Sequence, residues 1–307
     1  MRRLLLVIVL FLALWTGTAQ AGPFEDGVAA TQRGDFATAL RLWKPLAEQG
    51  HASAQYFLAL MYGDGEGVPQ DDAEAVKWYR RAAEQGHASA QHNLGARYSD
   101  GQGVPRDYAE AVKWYRRAAE QGLAEAQNNL GGMYSNGRGV PQDHAEAVKW
   151  YRRAAEQGHA SAQNNLGVIY NGGQGVPQDY AEAVKWYRRA AERGLAEAQF
   201  NLGVRYSNGQ GVPQDHAEAV KWYRRAAEQG YAPAQYNLGL MYSNRRGVPR
   251  DYVQAHKWFN LAVSSADRKE DQDHAVTNRD LVAARMTPQQ IAEAQKLARE
   301  WTPKPER

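Results

Sequence analysis

The feature that most constrains this chain is its self-similarity. Trp78, Trp114, Trp150, Trp186, Trp222 and Trp258 fall 36 residues apart, as do the Val-Pro pairs from Val68-Pro69 to Val248-Pro249. A fixed period of roughly 20–50 residues marks a solenoid, in which each unit buries its apolar surface only against its neighbours. The length of 307 residues by itself predicts about two domains. Repeats override that expectation, because such a chain grows by stacking.

Six units are read at 51–86, 87–122, 123–158, 159–194, 195–230 and 231–266. In each, a first helix runs from an Ala-x-Ala-Gln segment to a tyrosine such as Tyr98, and a glycine-rich loop such as Asp100-Gly101-Gln102-Gly103-Val104-Pro105 follows. The second helix opens at an aspartate (Asp71, Asp107, Asp143, Asp179, Asp215, Asp251) and closes at Gly86 and its equivalents. The aspartate accepts from free backbone amides, and Glu74, Glu110, Glu146, Glu182 and Glu218, three residues on, fit a capping box. The closing glycine suits a left-handed C-cap. Ala111, Trp114, Tyr115 and Ala118 fall at i, i+3, i+4 and i+7, one apolar stripe for a helix-on-helix core. The expected fold class is all-α.

The ends depart from the period. Met1-Arg2-Arg3, the apolar run Leu4–Trp15 and the small-residue segment ending Ala19-Gln20-Ala21 have the three regions of a secretory signal at 1–21. The apolar run is about 12 residues, short of the ~20 of a spanning helix. Cleavage after Ala21 and an exported chain, periplasmic or secreted with no stable membrane insertion, are therefore expected. Residues 22–50 read as an N-terminal capping hairpin turning at Arg33-Gly34-Asp35. Residues 267–307 read as a C-terminal helical cap, with a capping box at Thr287-Pro288-Gln289-Gln290 and a loose tail from Pro303.

The pattern Ala-x-Ala-Gln-x-x-Leu-Gly-x-x-Tyr, Gly-x-Gly-Val-x-x-Asp, Ala-x-x-Trp-Tyr-x-x-Ala-Ala-x-x-Gly over 51–266 resembles the Sel1-like repeats, relatives of tetratricopeptide repeats. The resemblance implies a right-handed α/α superhelical solenoid with helical caps, its first helices lining a concave face. It implies an adaptor that brings proteins together, which in exported bacterial members meets envelope or host partners, and it supplies no catalytic residue. Cysteine-rich relatives are linked to β-lactam binding, whereas this chain has no cysteine. Two departures stand out: Leu42 in place of the tryptophan, and Arg245 in place of the loop glycine.

Composition narrows the chemistry. The formal charge is +3, falling to +1 once Arg2 and Arg3 are removed, which gives no electrostatic footprint for nucleic acid. The stripe of Lys113, Arg116 and Arg117 is a solvated exterior, with Arg116–Glu120 spaced as an i, i+4 pair. Gly-x-Gly between two helices is turn chemistry, since a phosphate cradle requires a strand–turn–helix setting. His51, His87 and His159 share one position with Leu123, Leu195 and Tyr231, so they are structural residues and not ligands. No cofactor, metal site or catalytic constellation is read.

The candidate site is the first-helix face. With Ala90, Leu94 and Tyr98 on its buried side, positions 89, 92, 93 and 96 are expected to point away from the core. Asn93, Asn129, Asn165, Asn201 and Asn237 form an amide row beside the variable positions Tyr56, His92, Asn128, Asn164, Phe200 and Tyr236. Such a row can bind extended peptide, with flanking aromatics for side chains, or it can bridge adjacent repeats. The leading function is an exported, non-catalytic scaffold for a protein or peptide partner. The alternatives are a binder of envelope glycan or peptidoglycan fragments and, more remotely, a β-lactam or cell-wall hydrolase.

Overall fold

The computed structural model describes residues 22–304, and the expected signal segment lies outside them. The described residues hold sixteen α-helices and no strand. The chain divides into two compact units, Met1–Arg153 and Ala154–Arg307. The N-terminal unit contains α1 (Pro23–Gln32), α2 (Phe36–Glu48), α3 (Ala52–Asp64), α4 (Asp72–Glu84), α5 (Ala88–Asp100), α6 (Tyr108–Glu120) and α7 (Ala124–Asn136). The division falls within α8 (His144–Glu156). The C-terminal unit contains α9 (Ala160–Gly172), α10 (Tyr180–Glu192), α11 (Ala196–Asn208), α12 (His216–Glu228), α13 (Ala232–Asn244), α14 (Tyr252–Ser265), α15 (Lys269–Ala283) and α16 (Pro288–Arg299).

Local chemistry fixes the pairs. The first helix of a repeat ends where Gly101 and its equivalents take the left-handed conformation, at φ 74° for Gly101. The loop then returns so that Asp107 N–H donates to the Tyr98 carbonyl at 2.9 Å, a bond repeated from Asp71 to Tyr62 through Asp251 to Tyr242. The Asp107 carboxylate accepts from the amides of Ala109 and Glu110, at 2.9 and 3.0 Å. Only half of the expected capping box forms. The glutamate turns forward to Lys three residues on, as in Glu74–Lys77 at 2.8 Å, where an ion pair replaces the backward bond. The complete box occurs at α16, where Thr287 and Gln290 exchange bonds.

Packing within each unit follows the predicted stripe. Ala111, Trp114, Tyr115 and Ala118 are buried, and so are their equivalents in each second helix from α4 to α12. Gly131 in α7 lets the Tyr151 ring lie flat on the helix, since a Cβ there would come 2.8 Å from the ring. In the loop, Gly139 is seated against the preceding second helix, where a Cβ would meet the Tyr108 carbonyl oxygen at 2.2 Å. The loops at Gly67, Gly103, Gly211 and Gly247 are wedged in the same way onto the N-terminus of an earlier helix of their own unit.

The caps differ in kind. In the N-terminal unit Trp43 is fully buried, stacked on Phe57 at 4.8 Å, and its indole N–H donates to the Phe24 carbonyl at 3.0 Å. At the other end α15 and α16 both pack on α14, and Trp301 meets Trp258 edge-on at 6.4 Å. The tail is tied down as far as Lys304, whose N–H donates to the Glu228 carbonyl at 2.7 Å, contrary to the loose tail expected there. Residues 305–307 lie outside the described residues.

Candidate functional site

The strongest polar feature of the first-helix face is a buried glutamine in every repeat. Gln55, Gln91, Gln127, Gln163, Gln199 and Gln235 are all buried, and each donates through Nε2 to the alanine carbonyl eight residues earlier, at 2.9–3.2 Å. That carbonyl lies in the last turn of the preceding second helix, so the amide satisfies a helix end and joins two repeats at once. The Oε1 atom in turn accepts from a glutamine 30 residues on: Gln85 to Gln55 at 2.6 Å, Gln121 to Gln91 at 2.7 Å and Gln229 to Gln199 at 2.8 Å. This second glutamine covers the seam between helix ends.

The asparagine row lies one helical step away and is also engaged. Asn129 Nδ2 meets His92 Nε2 at 3.0 Å, and His92 Nδ1 meets Asn93 Oδ1 at 3.1 Å. Asn128 donates to Asn129 at 3.4 Å, and Asn201 donates to Asn164 at 3.0 Å. In these two places the amide of one repeat, Asn129 or Asn201, bonds the variable residue of the repeat before it, whereas Asn93 Nδ2 donates to the Tyr79 hydroxyl at 3.4 Å. Behind the row, burial pushes the Tyr115 hydroxyl up to about 12, Asp100 adds to the rise, and hydrogen bonds with Asn129 and Ser99 oppose it. Burial likewise raises Tyr223 against hydrogen bonds with Asn237 and Ser207. Of the two roles open to these amides, bracing is the one the geometry displays.

Two residues expected to face outward do not. Tyr56 is buried, stacked on His87 at 4.7 Å and set edge-on to Phe57 at 5.4 Å, because Phe57 replaces the row asparagine and draws aromatic rings inward. Asn164 is buried beneath its bond from Asn201. His92, Asn93, Asn128, Asn129, Asn165, Asn201 and the cavity residues Phe200, Tyr236 and Asn237 are half-buried.

The basic stripe is structural, with partners other than the expected one. Arg116 donates to the Tyr134 hydroxyl of the next repeat at 2.5 Å and not to Glu120, and Arg80, Arg188 and Arg224 do the same to Tyr98, Tyr206 and Tyr242. Arg117 lies over the Trp114 ring at 4.7 Å, an arrangement that recurs from Arg81 on Trp78 to Arg225 on Trp222. His51, His87 and His159 cap first helices by accepting the Ala54, Ala90 and Ala162 amides at Nδ1. No cluster of His, Asp and Glu fit for a metal ion occurs among the described residues. No described helix is long and apolar enough to cross a membrane.

One cavity brings predicted residues together. In the C-terminal unit a cleft of about 670 Å³ opens between α13 and the start of α15, and Phe200, Tyr236 and Asn237 line it. Tyr231, at 5.5 Å from Phe200, and Pro233 extend its apolar wall. Arg268, Asp271 and His274 form the opposite wall, with Arg268 holding Asp271 through two bonds of 2.8 and 3.0 Å. Asn278 donates to the Tyr236 hydroxyl at 3.0 Å and fixes that ring at the cleft edge. Ser265 on the cleft wall stands where the seam glutamine of other repeats would be, and Gln235 Oε1 has no hydrogen-bond partner among the described residues. The substitution at residue 265 is visible in the sequence as a break in Ala-Ala-Glu-Gln-Gly, a signal that sequence reasoning misses because the seam role of that glutamine is not local.

Comparison with known proteins agrees with the repeat pattern. The Sel1 repeat family model matches residues 24–51, 52–87, 88–123, 124–159, 160–195, 196–231 and 232–267, so the N-terminal hairpin is itself a shortened repeat. A solved Sel1 repeat protein from Oxalobacter formigenes is 33% identical, covers 81% of this chain and 99% of its own, and superimposes with a TM-score of 0.74. A protective antigen present in uropathogenic Escherichia coli strains is 29% identical over 91% of each chain, with a TM-score of 0.48. An exopolysaccharide production negative regulator of Rhizobium leguminosarum bv. viciae is 40% identical over 58 residues, which span 18% of this chain and 22% of that protein.

Proposed function

This chain belongs to the Sel1 repeat family, whose solenoids mediate protein–protein contact, and from that premise we propose that it is an exported, non-catalytic scaffold holding a protein segment in the Phe200–Tyr236 cleft. The observation that carries the reading is the convergence of Phe200, Tyr231, Tyr236 and Pro233 on one cavity beside a polar wall. Aromatic walls with a few placed polar groups are the usual make-up of a peptide-docking groove. The signal-like segment from Met1 to Ala21 supports export to the envelope or beyond. A second reading, envelope glycan binding, rests on the same cleft-lining rings.

The test is a crosslinked pulldown from envelope extract with a chain starting at Gly22. A Phe200→Ala/Tyr236→Ala bait loses a partner held in the cleft, while an Asn129→Ala/Asn165→Ala/Asn201→Ala bait that remains folded keeps it. Equal capture by the wild type and the cleft variant sinks the cleft as the docking site. Retention on purified glycan with no captured protein moves the second reading ahead.

A further inference from the structure

Gln163 is the second buried glutamine whose seam partner is replaced. At the position occupied by Gln85, Gln121, Gln157 and Gln229 elsewhere, the C-cap of α10 is Arg193. The guanidinium does not reach back to Gln163. It lies over Gly158, where an added Cβ would come 2.6 Å from its Nη2, close to the electronegative C-terminal end of α8. Gln163 is 3% exposed and its Nε2 is committed to the Ala155 carbonyl at 3.0 Å. Its Oε1 has no hydrogen-bond partner among the described residues. A buried acceptor left so is costly, and the residue Gln163 is among those lining a cleft of about 540 Å³, together with Glu156, Arg189, Glu192 and Arg193.

The chain itself displays the group that satisfies this place. Three times, a carboxamide N–H of a seam glutamine meets the equivalent Oε1 at 2.6–2.8 Å. We propose that the Gln163 cleft binds a carboxamide supplied from outside, an asparagine or glutamine side chain of a bound peptide, with its N–H donating to Gln163 Oε1 and its carbonyl accepting from Arg193. Two arginines and two glutamates line the cleft, so its charges balance and a neutral donor–acceptor group suits it better than an ion. A carboxylate would set oxygen against oxygen at Gln163 in a cleft that Glu156 and Glu192 also line. The proposal rests on the scaffold reading only in taking the amide to be a partner's, and it concerns a cleft separate from Phe200 and Tyr236.

The test needs no partner. N-acetylglutamine N-methylamide is titrated into the ¹⁵N-labelled chain, following the Gln163 side-chain amide and Arg193 Nε–H resonances. Saturable shifts are expected, with the glutamate analogue binding about tenfold or more weakly because it lacks the donor. Arg193→Gln restores the residue of the other repeats, fills the seam from within and abolishes the response in a chain that stays folded. No saturable shift in the wild type, an equal response from Arg193→Gln, or equal affinity for the glutamate analogue overturns the proposal. So does a response to maltose with none to the amide. Failure of the cleft variants in the pulldown leaves these outcomes unchanged, so the two readings fall separately.

Discussion

Gly137 and Gly139 sit two residues apart in one loop, both with positive φ, at 65° and 72°, yet they are predicted to respond differently to alanine. A non-glycine residue in the left-handed region costs about 1–2 kcal/mol, and both variants bear that. At Gly137 the nearest atoms to the new Cβ all belong to Gln142, its Cβ at 3.2 Å and its backbone nitrogen at 3.4 Å, contacts that a shift of a few tenths of an ångström relieves, so Gly137→Ala is expected to cost little more than that amount. At Gly139 the Cβ arrives 2.2 Å from the Tyr108 carbonyl oxygen and 2.3 Å from its carbon. An ordinary C···O contact is about 3.3 Å or longer, so the loop must lift by about 1 Å from the end of α6. Overpacking of that kind costs typically 1–3 kcal/mol, which brings Gly139→Ala to about 2–5 kcal/mol. Urea unfolding followed by circular dichroism gives both values, and hydrogen exchange shows whether protection is lost around Tyr108. Equal destabilisation by the two variants would refute the wedge and reduce both glycines to turn residues.

Three further predictions concern Arg245, His87 and the buried tyrosines. Arg245 is the one non-glycine residue with positive φ among the described residues, at 57°, and Arg245→Gly is expected to gain about 0.5–1 kcal/mol after the entropy of the freer unfolded chain is subtracted; an unchanged or lower urea midpoint contradicts it. Burial lowers the proton affinity of His87, whose Nδ1 caps α5. The unfolded chain therefore takes up that proton first, and stability present above about pH 6.5 declines below it; His87→Asn keeps a capping acceptor and should flatten the decline in melting temperature between pH 7 and 5. Burial holds Tyr79, Tyr115 and Tyr151 at about 12, so the unfolded chain loses these protons first and stability falls as pH rises from about 10 towards 12. Phenolate absorbance should then rise together with loss of helix, and complete ionisation near pH 10 with the helices intact would contradict that burial.

Much of this architecture is legible before any coordinate. The 36-residue spacing of Trp78 to Trp258, the opening aspartates and the closing glycines specify helix pairs, because capping and apolar periodicity are local rules. What the sequence leaves ambiguous is which polar side chain meets which. Arg116 has Glu120 at ideal helical spacing, but Tyr134 in the next repeat wins, a pairing that depends on how repeats stack. Gln91 is equally silent, since its partners are a carbonyl eight residues back and an amide 30 residues on. The outward direction assigned to Tyr56 fails because Phe57, Trp43 and Phe24 build an aromatic cluster peculiar to the N-terminal unit. The two clefts have a sequence signal in Arg193 and Ser265, but the signal has meaning only once the seam glutamine's role is known.

The central claim is that a protein segment docks beside Phe200, and site-specific photo-crosslinking tests it most directly. A benzophenone amino acid placed at position 200, at 236, or at the exposed control Leu281 is activated in intact cells, and crosslinked peptides are identified by mass spectrometry. One partner segment joined at 200 and 236 and absent at 281 is the predicted result. Crosslinks at 281 equal to those at 200, or a partner joined only through residues outside the cleft, would contradict the account.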